Sequence, residues 1–318
     1  MTKSLIITGA TGSMGSAAVR AMCYEGYAVI MACRNMTKAE AVCSNILKEN
    51  PSARLYPIQV DISQTESVRT FAASALSLTR SENLELCGLF NNAGIINRTY
   101  RLTDEGYENT LATNFIGPSL LTRLILPHLT DGSHIVNMVS LTCRFGTVSS
   151  DLFNRPATKF SQLGTYSDTK LALLLYTSSL NQLLQAGSLP DVSATDIHIN
   201  VSDPGVVNSN MISMGRWFDP LADALFRPFC KTPESGVLPA LHALHSTETG
   251  HYFKGARNYP IPSRYTSHPL SDWLWEQTNT IIGQFKTASD IVNIKNNLVI
   301  FPNLFRPKES SHQSDSKR

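Results

Sequence analysis

The amino-acid sequence predicts an α/β fold: a doubly wound parallel sheet in a single domain, followed by a short C-terminal extension. Apolar, strand-like runs alternate with helix-like segments through the first two-thirds of the 318 residues. These runs are apolar almost without interruption, as strands covered by helices on both faces require. A glycine-containing turn joins the first run to the first helix. Because crossovers between parallel strands are right-handed, these observations predict the sheet called the Rossmann fold.

The individual elements follow from local patterns of apolar residues and of residues that break helices and strands. Strands are predicted at Ser4–Thr8, Tyr27–Cys33, Ala53–Ile62, Leu84–Ala93, Ser133–Ser140 and Asp196–Ser202. Helices are predicted at Ser13–Tyr24, Lys38–Asn50, Val68–Leu78, Asp104–Leu129, from about Thr165, and at Glu234–His245. The second helix ends before Pro51, because a proline restricts the preceding residue to extended conformations. The Ser/Thr-rich stretch Leu141–Gln162 predicts a looser segment.

Composition and charge exclude several classes of function. The formal net charge of +2 gives no reason to expect binding to nucleic acid or to an anionic membrane. The eight histidines form no H-E-x-x-H pair, so we expect no metal site. Six cysteines without C-x-x-C spacing predict buried thiols in a reducing compartment, and therefore a cytoplasmic protein. The most apolar helical run, Leu171–Leu184, is too short and too polar to be an integral membrane segment.

A glycine-containing loop, Thr8–Gly15 (TGATGSMG), lies between the first strand and the first helix. This context predicts a dinucleotide-binding loop, in which Gly9 makes the tight turn and Gly15 lets the helix pack closely on the sheet. Ser13 occupies the usual place of the middle glycine. Gly12 could provide the backbone approach to the pyrophosphate one residue early, while Ser13 could cap the helix or bind a phosphate. A plain strand-to-helix turn would explain the loop equally well.

The end of the second strand bears on the choice of cofactor. An NAD site usually has an acidic residue there, which binds the ribose 2′-hydroxyl. This sequence has Arg34 after Cys33 instead, and an arginine can hold a 2′-phosphate by a charge-assisted contact. A solvated arginine at a strand end is the simpler explanation of Arg34 itself. The missing acid nevertheless predicts that NADP(H) is preferred over NAD(H).

Tyr166 and Lys170 lie four residues apart on a predicted helix, so their side chains share one face. The pKa of free tyrosine is about 10, too high for acid–base catalysis near neutrality. A lysine ammonium beside the phenol, together with a positively charged nicotinamide, is expected to lower the pKa of Tyr166. A Y-x-x-x-K pair alone is commonly a surface pair, so its meaning depends on the motifs around it.

These motifs together resemble the short-chain dehydrogenase/reductase family, classical type, over Ser4–Arg257. The matching positions are Asp61-Ile62 after the third strand, Asn91-Asn92-Ala93-Gly94 after the fourth, Asn114, Ser140, Tyr166 with Lys170, and Pro204–Ser209. In the last of these, Ser209 replaces the threonine of the family pattern P-G-x-V-x-T.

The resemblance implies a catalytic set of Asn114, Ser140, Tyr166 and Lys170. Tyr166 would be the general acid/base and Ser140 would hydrogen-bond the substrate oxygen. Lys170 would bind the nicotinamide ribose, and the backbone of Asn114 would hold a water that connects Lys170 to solvent. The implied cofactor-binding residues are Gly9, Thr11, Gly12, Ser13, Met14, Gly15, Arg34, Asp61, Ile62, Asn92, Ala93, Gly94, Tyr166, Lys170, Pro204, Gly205, Val207 and Ser209.

Two further stretches point to a hydrophobic substrate. The segment Phe145–Gln162 between Ser140 and Tyr166 resembles an insertion of the retinol-dehydrogenase-like and carbonyl-reducing branch, which usually uses NADP(H). Residues 211–230 are rich in Met, Trp, Phe and Leu and lie where the family places a substrate lid. A stripe that packs on the core would explain them equally well. If they form a lid, the substrate is a hydrophobic alcohol or carbonyl compound, such as a steroid, a retinoid, or a long-chain or aromatic ketone.

The predicted organisation is one catalytic domain over residues 1–258, an extension over residues 259–306 that packs on it, and a disordered tail over residues 307–318. Two other functions stay open at this stage. The G-x-x-G-x-x-G spacing of the opening loop resembles the extended members that modify nucleotide sugars. A catalytically silent NADP(H)-binding or redox-sensing protein could also use this fold, although such relatives commonly lose the tyrosine. The family resemblance also leads us to expect a homodimer or homotetramer.

Overall fold

The structure is a computed structural model that describes residues 1–207 and 231–284. The eight strands within this part are β1 Thr2–Thr8, β2 Ala28–Cys33, β3 Arg54–Gln59, β4 Leu84–Asn91, β5 Ser133–Met138, β6 Ile197–Asp203, β7 His251–Lys254 and β8 Arg257–Pro260. The α-helices are α1 Ser13–Tyr24, α2 Met36–Glu49, α3 Thr65–Ser81, α4 Asn109–Leu111, α5 Gly117–Ile125, α6 Gln162–Gln185, α7 Pro233–Leu244, α8 Ser263–Thr266 and α9 Ser271–Gln284.

The strands form one sheet in the order β3-β2-β1-β4-β5-β6-β7-β8. All neighbours are parallel except β7 and β8, which form an antiparallel hairpin at the edge. The predicted doubly wound parallel sheet is therefore confirmed, and the hairpin is an addition that the sequence did not predict. The strand order reverses between β1 and β4. In open α/β sheets, ligands bind beyond the carboxyl ends of the strands at such a switch point.

Buried apolar side chains form a core on each face of the sheet. On one face Val19 of α1, Cys43 of α2 and Val237 of α7 pack together. On the other lie Phe71 of α3, Tyr176 of α6, and Phe115, which precedes α5. The helices therefore cover both faces, which explains why the strands lack an alternating polar face.

The predicted helix Asp104–Leu129 is wrong in its start and its continuity. Its first part is a turn at Gly106, whose φ is +84°, and the helix begins only at Asn109. Glu108 caps it, because its carboxylate accepts hydrogen bonds from Leu111 N at 2.9 Å and Thr110 Oγ1 at 3.0 Å. The chain then widens into a π-helical turn over Ala112–Ile116 before α5, and ends in a 3₁₀ turn at Leu126–His128.

The predicted third and fourth strands are too long at their carboxyl ends. Asp61 and Ile62 follow β3, and Asn92 and Ala93 follow β4, so all four residues lie in loops beyond the sheet. The predicted loose segment contains three short 3₁₀ turns, Leu141–Phe145, Leu152–Asn154 and Ala157–Lys159. The loops after β3, β4 and β5 thus leave the sheet at the same edge.

Chain beyond residue 258 packs on α6 and the core. Trp275 stacks on Tyr176 of α6 with ring centroids 5.2 Å apart, and Trp273 contacts Phe153. Leu274 between the two tryptophans is completely buried. Residues 285–306 of the predicted extension, the predicted lid at 211–230 and the predicted tail at 307–318 lie outside the described residues. Among the described helices, none combines the length and the apolar character needed to cross a membrane.

Candidate active site at the carboxyl edge of the sheet

The loops after β1 and β4 are joined by the hydroxyl of Thr8. Thr8 Oγ1 accepts hydrogen bonds from Asn92 N at 3.0 Å and Ala93 N at 2.9 Å. Asn92 Nδ2 in turn donates to Thr8 O at 2.9 Å. These bonds hold the predicted phosphate loop against the predicted ribose loop at the switch point of the sheet.

The glycines of the loop after β1 differ in why the structure needs a glycine at each position. Gly9 has a φ of +63°, which favours glycine, and a Cβ placed on it would lie 3.0 Å from Ala93 Cα. A Cβ on Gly15 would lie only 2.1 Å from Gly9 O, so α1 packs directly on the turn. Gly12 is exposed and less constrained, since a Cβ on it would make a single tight contact, 3.3 Å from Gly9 O.

The predicted cap of α1 by Ser13 is wrong, because Gly12 is the N-cap and Ser13 is the first helical residue. Gly12 has no side chain to accept a bond, so the first-turn N–H groups of α1 have no side-chain cap. Uncapped N–H groups at a helix N-terminus fit an anionic group such as a pyrophosphate. Thr11 and Met14 flank this point and are half-buried, while Ser13 is exposed.

The residues predicted for the adenosine end follow β2 and β3. Arg34 is exposed directly after β2, whose Ala32 O accepts a hydrogen bond from Gly9 N at 3.2 Å. This bond places the end of β2 beside the phosphate loop. Asp61 Oδ1 accepts hydrogen bonds from Ser63 Oγ at 2.7 Å and Ser63 N at 3.0 Å, which fix the orientation of its carboxylate. Ile62 is buried, and its carbonyl oxygen lies against Gly117.

The asparagines after β4 divide into a buried structural one and one at the site. Asn91 Nδ2 donates to Thr122 Oγ1 at 2.9 Å and to Asn137 Oδ1 at 2.8 Å. Asn137 Nδ2 donates to Thr177 Oγ1 at 2.9 Å. This chain of amides fixes β4 to β5 and to the helices on one face. Asn92 lies at the site instead, bonded to Thr8, and its buried Oδ1 has no partner among the described residues.

The side chain of Asn114 fastens the loop after β4 to α6. It lies in the π-helical turn, and its amide both accepts from Ile95 N at 2.8 Å and donates to Ile95 O at 2.9 Å. Its Nδ2 also lies 3.1 Å from Thr169 Oγ1. Gly94 of this loop lies next to both residues, because a Cβ on it would be 3.4 Å from Lys170 Nζ and 3.5 Å from Asn114 Oδ1.

Ser140, Tyr166 and Lys170 come together at the end of β5. Ser140 follows the strand, and its hydroxyl lies close enough to the Tyr166 phenol to lower the pKa of that phenol. Lys170 lies one helical turn after Tyr166, with its Nζ 5.8 Å from the centre of the tyrosine ring. That Nζ donates to Met138 O at 2.8 Å, so the lysine bridges α6 and β5. The spacing therefore places both groups on one face of α6, as predicted.

Burial controls the ionisation of this pair. It raises the pKa of the Tyr166 phenol to about 12, with smaller contributions from the Ser140 contact, which lowers the pKa, and from Asp203 and Cys143, which raise it. Burial also lowers the pKa of the Lys170 ammonium to about 8. The predicted lowering of the tyrosine pKa is thus not found in the protein alone. The reason is that both groups have lost their contact with water.

The predicted nicotinamide segment begins at a buried carboxylate. Gly205 has a φ of +74°, and its N–H donates to Asp203 Oδ1 at 2.9 Å, which shapes the turn around Pro204. Val207 is buried and forms a β-bridge with Lys231. A Cβ on Gly236 of α7 would lie 2.6 Å from Val207 Cγ2, so the segment packs tightly on α7. Ser209 lies outside the described residues.

The segment between Ser140 and α6 is organised by Asp168, two residues after Tyr166. Its carboxylate accepts a hydrogen bond from Thr147 N at 2.6 Å and forms a largely buried ion pair with Arg155. A Cβ on Gly146 would lie 2.4 Å from Ser167 O, so the backbone of this segment touches α6 directly. These contacts hold the segment against α6, next to Tyr166.

The sequence reasoning missed several residues that build the site. Thr8 begins the predicted loop but was given no role of its own, and nothing in the sequence distinguishes Thr169 from other threonines. Ile95 contributes only its backbone. Asp203 had a usable signal, since an aspartate at the end of a buried strand, directly before Pro-Gly, must find hydrogen-bond donors there. No group of three or more His, Cys, Asp or Glu side chains with the geometry of a metal site occurs in residues 1–207 and 231–284.

Comparisons with known proteins agree with this geometry. Residues 3–216 match the family model described as short chain dehydrogenase. Retinol dehydrogenase 12 of Mus musculus is 30% identical over 288 residues, which are 88% of this chain and 86% of that protein. The chloroplastic short-chain dehydrogenase TIC 32 A of Brassica napus is 31% identical over 285 residues, 85% of this chain and 86% of that protein. A solved structure of a putative uncharacterized protein from Mycobacterium Paratuberculosis matches with a TM-score of 0.66 at 26% identity, over 88% of this chain and 93% of that one.

Proposed function

Because the chain belongs to the short-chain dehydrogenase/reductase family, we propose that it is an NADP(H)-dependent oxidoreductase that interconverts a hydrophobic alcohol and its ketone or aldehyde. The observation that carries this proposal is the cluster of Ser140, Tyr166 and Lys170 at the switch-point edge of the sheet. Such a cluster offers a hydroxyl and a phenol to one substrate oxygen, with an ammonium beside the phenol.

The residues of the chain would manage the proton and the substrate oxygen. A bound nicotinamide supplies or accepts the hydride. Tyr166 protonates the oxygen during reduction and takes the alcohol proton during oxidation. Ser140 donates a hydrogen bond to the same oxygen and so stabilises the charge that develops on it. Lys170 binds the ribose hydroxyls of the nicotinamide half.

Asn114 contributes to this chemistry through its backbone, and its side chain only holds neighbouring segments in place. Its side chain is fully used in holding Ile95 and Thr169, so only its backbone is left for the predicted water next to Lys170. The π-helical turn around it opens the hydrogen-bonding pattern of the helix backbone at that point. We therefore assign Asn114 to the path by which Lys170 exchanges protons with solvent.

The preference for NADP(H) is supported by Arg34. Its guanidinium is exposed after β2, and β2 ends beside the phosphate loop through the bond from Gly9 N to Ala32 O. An arginine there provides a fork of donors for a 2′-phosphate, whereas no carboxylate follows β2 directly to bind a 2′-hydroxyl. Asp61, Ile62 and Asn92–Gly94 would contact the adenine and the ribose.

The substrate class is supported by the relatives named retinol dehydrogenase. We therefore propose a steroid-like, retinoid-like, long-chain or aromatic carbonyl compound. A homodimer or homotetramer and a cytoplasmic location remain predictions from the sequence.

A substrate panel tests the proposal. Hydrophobic ketones and aldehydes are mixed with NADPH or NADH, and hydrophobic alcohols with NADP+ or NAD+. Nucleotide sugars form a separate series. The absorbance of the reduced cofactor is followed in each case. Turnover of a hydrophobic carbonyl with NADPH is the expected result. Turnover of nucleotide sugars alone, or cofactor binding without any turnover, would favour the extended-type or the catalytically silent alternative.

Tyr166→Phe then tests the proton donor. We expect turnover to fall on the order of 10²- to 10⁴-fold, because the phenol is the acid/base, while NADPH affinity stays nearly unchanged. Tyr176→Phe is the matched control, since Tyr176 is buried on the same helix and its hydroxyl lies 3.5 Å from Ser119 O, away from the site. Substantial residual turnover in Tyr166→Phe would exclude Tyr166 as the proton donor.

A further inference from the structure

The segment between Ser140 and α6 has no strand or long helix of its own. Residues 141–160 contain only short 3₁₀ turns. Among the described residues, no main-chain hydrogen bond joins them to main chain outside the turns that they form with their neighbours. Phe153 anchors the middle of the segment on the core. The part directly after Ser140 is tied to α6 by the carboxylate of Asp168.

A continuous path of hydrogen bonds leads from Ser140 to this carboxylate. Ser140 O accepts a hydrogen bond from Cys143 N at 3.0 Å, and Cys143 O accepts one from Gly146 N at 3.3 Å. The next residue, Thr147, donates its N–H to Asp168 Oδ1 at 2.6 Å. Two short turns and one hydrogen bond therefore connect Ser140 to α6.

The backbone also touches α6 beside that hydrogen bond. A Cβ on Gly146 would lie 2.4 Å from Ser167 O and 2.9 Å from Leu171 Cβ, so the two chains are in direct contact there. Asp168 lies between these two residues of α6, two positions after Tyr166. The turn that begins at Ser140 is thus held against the part of α6 that carries Tyr166.

The second oxygen of Asp168 is occupied by Arg155. Both side chains of this ion pair are only 10% exposed. Tyr100 Oη donates to Arg155 O at 2.9 Å, so the loop after β4 holds the same arginine. Because a buried charge is costly unless it is paired, Arg155 neutralises the carboxylate and fixes its orientation toward Thr147. The exposed pair of Lys159 with Asp151, by contrast, stays within the segment.

We propose that Asp168 is a positioning residue that sets where the Ser140 hydroxyl stands relative to the Tyr166 phenol. It does so by holding Thr147 N and Arg155 on α6. This inference rests on the proposed function of the same site. Asp168 itself lies outside the predicted catalytic and cofactor sets.

The distance between the two groups matters because they come from different elements. Ser140 follows β5, Tyr166 lies on α6, and both must reach one substrate oxygen. The Ser140 hydroxyl moves with the turn after it, since its Oγ accepts a hydrogen bond from Thr142 N at 3.3 Å. A misplacement of about 1 Å at a catalytic group can lower the rate on the order of 10²-fold. A tie between the turn and α6 therefore acts on the rate of the chemical step.

Two double variants isolate the hydrogen bond to Thr147. Asp168→Asn with Arg155→Met removes both charges and keeps an oxygen for Thr147 N. Asp168→Leu with Arg155→Met removes both charges and has a side chain of similar size without an acceptor. Neither variant leaves an unpaired buried charge. We expect kcat of the leucine variant to lie about 10- to 100-fold below that of the asparagine variant, with NADPH affinity nearly equal in the two.

Lys159→Met is the control for the loss of positive charge from the segment. It breaks an ion pair in which Lys159 is 65% exposed, and that pair makes no contact with α6. It should therefore leave kcat close to that of the unchanged protein. Equal kcat values in the two double variants would overturn the proposal.

Dependence on Ser140 distinguishes positioning from a general loosening of the fold. In a Ser140→Ala background there is no hydroxyl left to position. The ratio of kcat between the two double variants should then fall to about 1, because contributions that act through one group are not additive. The same ratio in both backgrounds would refute the role of Asp168, since a loosened fold slows catalysis with or without the hydroxyl.

Amide hydrogen exchange provides a measurement without turnover. The N–H groups of Cys143, Gly146 and Thr147 should exchange about tenfold faster in the leucine variant than in the asparagine variant, and those of β5 at an equal rate in both. If the leucine variant does not fold, Thr147→Pro removes the same hydrogen bond from the other side and leaves the ion pair intact. Thr147→Ala, which keeps the N–H, is its control. Unchanged exchange at Cys143 and Gly146 in the folded variants contradicts the proposal.

These results separate the two proposals. Absence of turnover across the substrate panel, with faster exchange after Ser140 in the leucine variant, would reject the proposed function alone. Normal turnover, with equal kcat and equal exchange in the two double variants, would reject the role of Asp168 alone.

Discussion

At the scale of single residues, the chemistry of this site depends on how water is excluded from it. Burial raises the pKa of Tyr166 and lowers that of Lys170, so each group is held toward its uncharged form in the protein alone. A phenol of this kind holds a proton ready for a carbonyl oxygen. A phenolate requires an additional positive charge close to the ring.

Arg34 is the single residue to which we assign the proposed preference for NADP(H). We expect Arg34→Ala to weaken NADPH binding about 10- to 100-fold and NADH binding far less, because a hydrogen bond to a charged group is worth about 1.5–3 kcal/mol. Dissociation constants for both cofactors, measured by fluorescence titration, check this. Lys48→Ala, at the exposed far end of α2, is the matched loss of charge and should change neither constant. Equal losses for NADPH and NADH would remove Arg34 from the 2′-phosphate site.

At the scale of elements, the loop between β1 and α1 separates folding from binding. Gly9 and Gly15 are required by the packing of the turn on the ribose loop and on α1. Gly12 is the least constrained of the three by packing, since its φ is −73° and a Cβ on it would make one tight contact, 3.3 Å from Gly9 O. A glycine that packing constrains so little, at an uncapped helix N-terminus, fits close approach by a phosphate.

This difference predicts two distinct mutant behaviours. Gly12→Val should weaken NADPH on the order of tenfold, about 1.4 kcal/mol, and more than Ser13→Gly does. Its effect on the free energy of unfolding should stay near 1 kcal/mol or less, the cost of a poor N-cap. Gly15→Ala should instead lower the free energy of unfolding by about 1–3 kcal/mol through overpacking. Cofactor titration and denaturant unfolding of the three variants give both quantities. A larger loss of NADPH affinity in Ser13→Gly than in Gly12→Val would show that the loop binds the pyrophosphate in its standard spacing.

Elements with strong local patterns were predictable from the sequence, and those set by tertiary contacts were not. The strands β1, β2 and β5 and the helix α1 follow apolar runs and a glycine turn, and the Tyr166–Lys170 pair follows from helical spacing. The start of the helix after Gly106 depends on the buried cap by Glu108, which no spacing rule indicates. The π-helical turn depends on Asn114 bonding a loop 19 positions away. The raised pKa of Tyr166 depends on burial, which a motif does not express.

At the scale of the whole molecule, the chain after residue 258 completes one face of the core. Trp273 and Trp275 contact the insertion and α6, and the Arg69 side chain donates to Ile282 O at 2.9 Å. The described part of this chain therefore lies against the elements that carry Tyr166 and Lys170.

We expect this part to unfold together with the catalytic domain. Leu274→Ala should lower the global free energy of unfolding by about 2–5 kcal/mol, because it leaves a cavity at a fully buried site. Leu238→Ala, on the exposed side of α7, is the matched control and should stay within about 0.5 kcal/mol. Chemical denaturation followed by circular dichroism measures both. If Leu274→Ala left the main unfolding transition unchanged, the extension would unfold independently of the rest of the domain.

The hydroxyl of Thr8 has a consequence for the dynamics of the loops after β1 and β4. It binds the amides of two successive residues that lie 84 and 85 positions further along the chain. Neither amide can exchange its hydrogen with solvent until its bond to this oxygen breaks, and Asn92 N also lies 3.0 Å from Phe90 O. Asn92 N–H should therefore be protected at least as strongly as Ala93 N–H, and the two loops should open as a single cooperative unit. A dinucleotide that rests on one of these loops would then slow exchange in the other without touching it.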